Sequence, residues 1–113
     1  MIKKANQLNK KSLKMKEVTN IFKSEKLIKV FLSYDEENNV IHSINITGDF
    51  FLYPEEGLEI LEADLVGTKL KKKLIRERIK ESLTNSEAFG FDEESMTQAI
   101  MGCLGNELDE SKV

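Results

Sequence analysis

LIKVFLSYDEENNVIHSINITG, residues 27–48, is the stretch on which the fold turns. Ile28, Val30, Leu32 and Tyr34 alternate with Lys29, Phe31 and Ser33, and Val40, His42, Ile44 and Ile46 alternate with Ile41, Ser43, Asn45 and Thr47. A period of two residues sends one set to each face of a strand, so both segments read as half-buried strands, with His42 on the apolar face beside Val40 and Ile44. Between them, Asp35-Glu36-Glu37-Asn38-Asn39 supplies side chains that tolerate turn dihedrals, which closes the pair as an antiparallel hairpin. The segment around residues 18–22 is a candidate third strand.

Downstream the period changes from two to between three and four. Gly48 ends the second strand, and Asp49-Phe50-Phe51-Leu52-Tyr53 leads to Pro54, whose missing N–H suits the first turn of a helix. That helix is expected over residues 54–66, with Glu55 and Glu56 at its positive end, Leu58, Leu61 and Leu65 as one apolar stripe, and Gly67 as its stop. A second helix is expected over about residues 70–83, carrying Ile75, Ile79 and Leu83 on one side. After a loop ending Ala88-Phe89-Gly90-Phe91, Asp92 is an N-cap for a third helix whose buried stripe is Met96, Ala99, Ile100, Cys103 and Leu104. Gly102 and Gly105 weaken its end. The sum is an α+β fold of two layers, a small antiparallel sheet covered by three helices.

With 113 residues the chain has room for one domain, and 34 of them are Leu, Ile, Val or Phe, enough for a core. No run reaches the roughly 20 apolar residues of a membrane span, and the first residues, MIKKANQLNKKSLKMK, lack the apolar segment of a secretory signal. A cytoplasmic location with no membrane partner is the expectation. Charge is uneven: residues 1–16 hold six Lys and no acid, whereas residues 91–113 hold one basic and six acidic residues. The division that follows is a basic, flexible leader over residues 1–21, a folded domain over residues 22–105 and an acidic, flexible tail over residues 106–113.

The residues that usually carry chemistry are scarce. There is no GxxxxGK[ST], GxGxxG, HExxH or GxSxG pattern. The one His and one Cys could form a dyad only as His42 with Cys103, and both read instead as structural residues of a strand and a helix. Cys103 alone cannot make an internal disulfide or a Cys-rich metal site. Glu55, Glu56, Glu59, Glu62 and Asp64 read as a solvated helix face. The expectation is therefore no catalytic residue and no metal ligand.

The unusual local text is TGDFFLYP, residues 47–54, which places a glycine, a lone acid and three aromatics at one junction. Asp49 can serve the local backbone there, with Phe50 or Phe51 plugging the core. Alternatively, because the two phenylalanines point to opposite sides, one of them is left for a partner.

GDFFLYPEE with the following Leu61-Glu62, Leu65 and Gly67 resembles the C-terminal accessory domain of lipoate–protein ligases. The likeness extends upstream to Lys26-Leu27-Ile28-Lys29-Val30 and the hairpin over residues 40–48, and downstream to Phe89-Gly90-Phe91, Glu94 and Ala99-Ile100. It covers roughly residues 22–105. The resemblance implies a fold of the SufE/NifU-like kind and an accessory subunit of a bipartite ligase. The Arg-Arg and Gly-rich lipoate loop and the essential lysine of the ligase domain are not in this chain.

It also implies a catalytic ligase subunit as partner in a heterodimer, and indirectly the lipoyl domains of 2-oxoacid dehydrogenase complexes or a glycine-cleavage carrier protein. ATP, Mg and lipoate would be used by the complex, with none bound by this chain alone, to form lipoyl-AMP and pyrophosphate before transfer to a lysine. Within that frame Gly48, Asp49, Phe50, Phe51 and Tyr53 are candidate partner-binding residues, with Lys69, Lys71, Lys72 and Lys73 as an electrostatic guide. Two other classes compete: a sulfur-handling or scaffold protein, which would require Cys103 to be reactive, and a nucleic-acid-binding adaptor using the basic leader.

Overall fold

The hairpin forms. In the structure, a computed structural model that describes residues 14–23 and 25–105, β2 (Leu27–Asp35) and β3 (Val40–Gly48) pair antiparallel. Asp35 organises the turn between them: its carboxylate accepts from the Glu37 N–H at 2.9 Å and from the Asn38 amide at 2.8 Å, while Asn39 takes a φ of 55°. The third strand also forms. β1 (Met15–Lys23) lies antiparallel on the other side of β2, giving the order β1-β2-β3. It starts inside the stretch assigned above to the leader, of which residues 1–13 lie outside the described residues, as does the tail over residues 106–113.

The phase of β3 departs from strict alternation. Between Ser33 and Tyr34 the register shifts, so that Ser33 faces Ser43 but Tyr34 faces Ile41. His42 is the extra residue of this bulge, which turns Ile41 inward with Ile44 and Ile46 and leaves His42 exposed instead of on the apolar face. A bulge reverses the side-chain sequence from that point on, and nothing local in Val40-Ile41-His42-Ser43 announces it.

Three helices cover one face of the sheet. α1 (Gly57–Leu65) buries Leu61 and Leu65 completely, and Leu58 packs beside them. It begins three residues later than the sequence suggests, because residues 51–53 are held extended as a strand. Pro54, Glu55 and Glu56 then form a separate turn, closed by the Gly57 N–H donating to the Pro54 carbonyl at 2.9 Å. Gly67, at φ 89°, stops α1 and donates to the Ile41 carbonyl at 2.8 Å.

α2 (Lys72–Ser82) buries Ile75 and Ile79. α3 (Glu93–Met101) buries Met96, Ala99 and Ile100 and runs into a 3₁₀ turn over Gly102–Leu104 that buries Cys103 and Leu104. Of the two glycines that weaken this end, Gly102 has a packing reason. A Cβ on Gly102 would collide with the Asn20 side-chain amide, which donates to the Ala99 carbonyl at 2.9 Å and ties α3 to β1.

Asp92 caps α3 as expected. Its Oδ1 accepts from the Ser95 N–H at 2.8 Å while Ser95 Oγ accepts from the Asp92 N–H at 3.0 Å, a reciprocal pair. The Ser95 N–H, foremost, holds the Asp92 carboxyl below its ordinary value of 3.8. A carboxyl with a depressed folded pKa contributes stability that is present above 3.8 and lost as pH falls through the folded value. Asp92→Ala is therefore expected to cost about 1 kcal/mol at neutral pH. In urea unfolding series the gap between variant and parent closes in acid below that range; a gap independent of pH would show that the carboxylate charge is not what caps the helix.

Candidate functional site

What distinguishes the junction after β3 is a second, two-stranded sheet. β4 (Phe51–Tyr53) pairs antiparallel with β5 (Glu87–Phe89), a strand inside the segment read above as a loop. The register sets Phe51 opposite Phe89, Leu52 opposite Ala88 and Tyr53 opposite Glu87. Opposed residues share a face, so Leu52 and Ala88 turn into the core while Phe51, Phe89, Tyr53 and Glu87 turn outward together.

The outward aromatics are unusually bare: Phe51 is 53% exposed, Tyr53 60% and Phe89 52%, and the Phe51 and Phe89 rings stand 6.0 Å apart. A ribbon of two strands is marginal alone. Here its inner side is fastened by Leu52 and by Phe50, whose ring meets Phe91 edge-on at 4.9 Å. Phe50 therefore belongs to the support of the ribbon, and Phe51 to its surface. Phe89, which completes that surface, stood out in the sequence only as part of the Phe89-Gly90-Phe91 resemblance, since a three-residue strand carries no readable period.

Gly48 sets the path of the chain into the ribbon. A Cβ there would fall on the Leu27 carbonyl oxygen and within 2.9 Å of the Phe50 ring, so only glycine permits this approach. The same carbonyl accepts the Asp49 N–H at 3.0 Å. Asp49, like Glu55, Glu56 and Glu87, is exposed, and its carboxylate makes no hydrogen bond among the described residues. The side chain of Lys26 lies beside Gly90.

The lysines lie elsewhere. Lys69 bridges to Val40, at the far end of β3 from Gly48, about 26 Å away for eight residues of extended chain. Lys71, Lys72 and Lys73 follow it at the start of α2, all exposed, with Lys72 3.9 Å from Glu94. The structure thus groups Phe51 and Tyr53 with Phe89, while Lys69 lies by the opposite end of β3 and Lys72 reaches the first turn of α3 at Glu94.

Other candidate groups are not brought together. His42 is exposed on β3, whereas Cys103 is buried in the 3₁₀ turn packed against β1, and β2 lies between these strands. Glu62, read as part of a solvated face, accepts the outward Ile46 N–H at 2.7 Å and pins α1 to β3. Among the described residues no three of His, Cys, Asp and Glu converge so as to hold a metal ion. No helix among the described residues is long and apolar enough to cross a membrane.

Burial pushes the Cys103 thiol up to about 11, so hardly any thiolate is present at neutral pH. Alkylation by iodoacetamide is expected to be negligible in the native protein and rapid in denaturant. Fast native labelling would return Cys103 to the list of reactive groups.

Residues 27–100 match the family described as bacterial lipoate protein ligase C-terminus. Among solved structures, the chain is similar to one from an archaeal lipoylation system, a bi-partite lipoate protein ligase and its E2 lipoyl domain from Thermoplasma acidophilum. The identity is 31%, the TM-score is 0.68, and the match covers 76% of this chain and 96% of that one. Comparison with curated protein sequences finds no significant match.

Proposed function

Since the chain belongs to the lipoate protein ligase C-terminal family, we propose that it is the accessory subunit of a bipartite ligase and works by docking on a separate catalytic subunit. Coverage carries this reading: nearly the whole of a chain from a bi-partite ligase corresponds to this one, so the shared body exists there as a polypeptide of its own. In the proposed system the catalytic subunit uses ATP, Mg and lipoate to form lipoyl-AMP, then passes the lipoyl group to a lipoyl domain. This chain holds none of those ligands. Its contribution is conformational, because an adenylating site has to exclude water and order its loops, and a partner that binds only the ordered state raises the population of that state.

The docking surface in this proposal is the ribbon face of Phe51, Tyr53 and Phe89. Aromatic residues dominate the binding energy of protein interfaces, and a rigid pair of strands presents them with little ordering cost. The Gly48-Asp49-Phe50 junction supports that face from behind. Lys69 and Lys71–Lys73 act at a distance, as a charge that steers encounter. The acceptors are lipoyl domains of 2-oxoacid dehydrogenase complexes or a glycine-cleavage carrier protein.

The test is lipoate-dependent exchange of pyrophosphate into ATP by the catalytic subunit encoded in the same genome, with and without this protein. Exchange that rises well above background only on addition of this chain supports the proposal. Exchange unaffected by the chain, together with no association between the two proteins, overturns it.

A further inference from the structure

The two edges of the three-stranded sheet are treated differently. Along β3 part of the outward backbone is taken: Ile41 donates to the Thr68 carbonyl at 3.0 Å and accepts from Gly67 at 2.8 Å, and the Ile46 N–H donates to Glu62. Along β1 it is open. At the end of the β1–β2 ladder Glu36 donates to the Lys14 carbonyl at 3.0 Å, which sets the parity: even-numbered residues of β1 turn their N–H and C=O toward β2 and odd-numbered ones turn them away. The outward groups of Met15, Glu17, Thr19, Ile21 and Lys23 have no backbone partner among the described residues.

β1 carries charges at Lys16, Glu17 and Lys23 but lacks the backbone devices that blunt an edge. Its nine pairs with β2 run in unbroken register, without a bulge, and it contains neither proline nor glycine. A row of unpaired N–H and C=O groups recognises one chemistry, the backbone of another extended segment.

The side chains indicate whose. We infer that β1 pairs antiparallel with β1 of a second copy of this chain, about a two-fold axis at Asn20, joining the two sheets into one of six strands. In that register Glu17 faces Lys23 and Thr19 faces Ile21, each twice by symmetry, on the uncovered side of the sheet. All four are odd-numbered and present outward backbone groups, so the pairs that must exchange hydrogen bonds are the pairs able to do so. Val18 faces Phe22 on the helix-covered side, where both are only partly buried in the single chain. The register thus sets opposite charges against each other and extends the core across the interface. This surface is distinct from the β4–β5 ribbon, so the inference stands or falls independently of the proposed ligase role.

Sedimentation of the full chain, without any partner, tests it. A dimer whose population rises with concentration is expected. Glu17→Lys and Lys23→Glu each place like charges opposite each other twice and are expected to weaken the dimer about tenfold. Combining them restores opposite charges, with a return to near the parental dissociation constant. Thr19→Pro removes an outward N–H while sparing the β1–β2 ladder; it is expected to abolish the dimer with the circular dichroism spectrum unchanged. A chain that stays monomeric at every concentration overturns the inference. So does a dimer indifferent to the charge exchange, which would use another face or register.

Discussion

Phe51→Ala and Phe89→Ala are each expected to weaken association with the catalytic ligase subunit about 30-fold, the effect of losing a contact of about 2 kcal/mol at the centre of an interface. The two rings lean on each other at 6.0 Å, so the double variant should fall short of the product of the single effects. Neither ring supports the core, since both are about half exposed, and the unfolding midpoint is expected to move by little. That contrast gives the experiment its force. The obvious alternative, a variant at Phe50, would confuse docking with folding, because Phe50 packs on Phe91 beneath the ribbon. Affinity measured by titration calorimetry, alongside pyrophosphate exchange, checks the expectation. Unchanged affinity in both variants would remove the ribbon from the interface while leaving the accessory role itself open to the exchange assay.

Gly48→Ala is expected to lower stability by roughly 1–3 kcal/mol, as an atom forced into a packed site does. The methyl group would meet the Leu27 carbonyl oxygen, a backbone atom already bound to the Asp49 N–H, and on its other side the Phe50 ring. Neither neighbour can retreat without breaking the end of the β2–β3 ladder or the Phe50–Phe91 contact. For a domain of this size each kcal/mol corresponds to roughly 4–8 °C in melting temperature. A thermal melt within a degree of the parent would show that the junction can relax. A melt lowered as expected, with weakened association on top, would show that the same junction sets the pose of the ribbon.

How much of this was legible beforehand follows from the range of the interactions involved. The β2–β3 hairpin, the apolar stripes of three helices and the Asp92 cap are recorded in residues a few positions apart, and all appear where their spacing puts them. The candidate site was half visible. Gly48-Asp49-Phe50-Phe51 stood out as an anomaly, and alternation separated the two phenylalanines, but which of them faced outward depended on what covered the other. Phe91 covers Phe50, some forty residues away.

Strand pairing between β4 and β5 and the exposure of Phe89 follow from that same packing, because three-residue strands have no period to read and exist only where a distant partner is delivered by α1 and α2. The late start of α1 has the same origin, since Tyr53 is held in the ribbon. Likewise His42 left the apolar face through a bulge against Ser33 and Tyr34, and Glu62 left solvent for the Ile46 N–H, a group visible only once β3 became an edge. Local periodicity and turn chemistry thus wrote the elements into the chain, since those forces act between near neighbours. The position of each side chain on a face, an edge or a rim was decided by contacts between residues far apart in the chain, which no local pattern encodes.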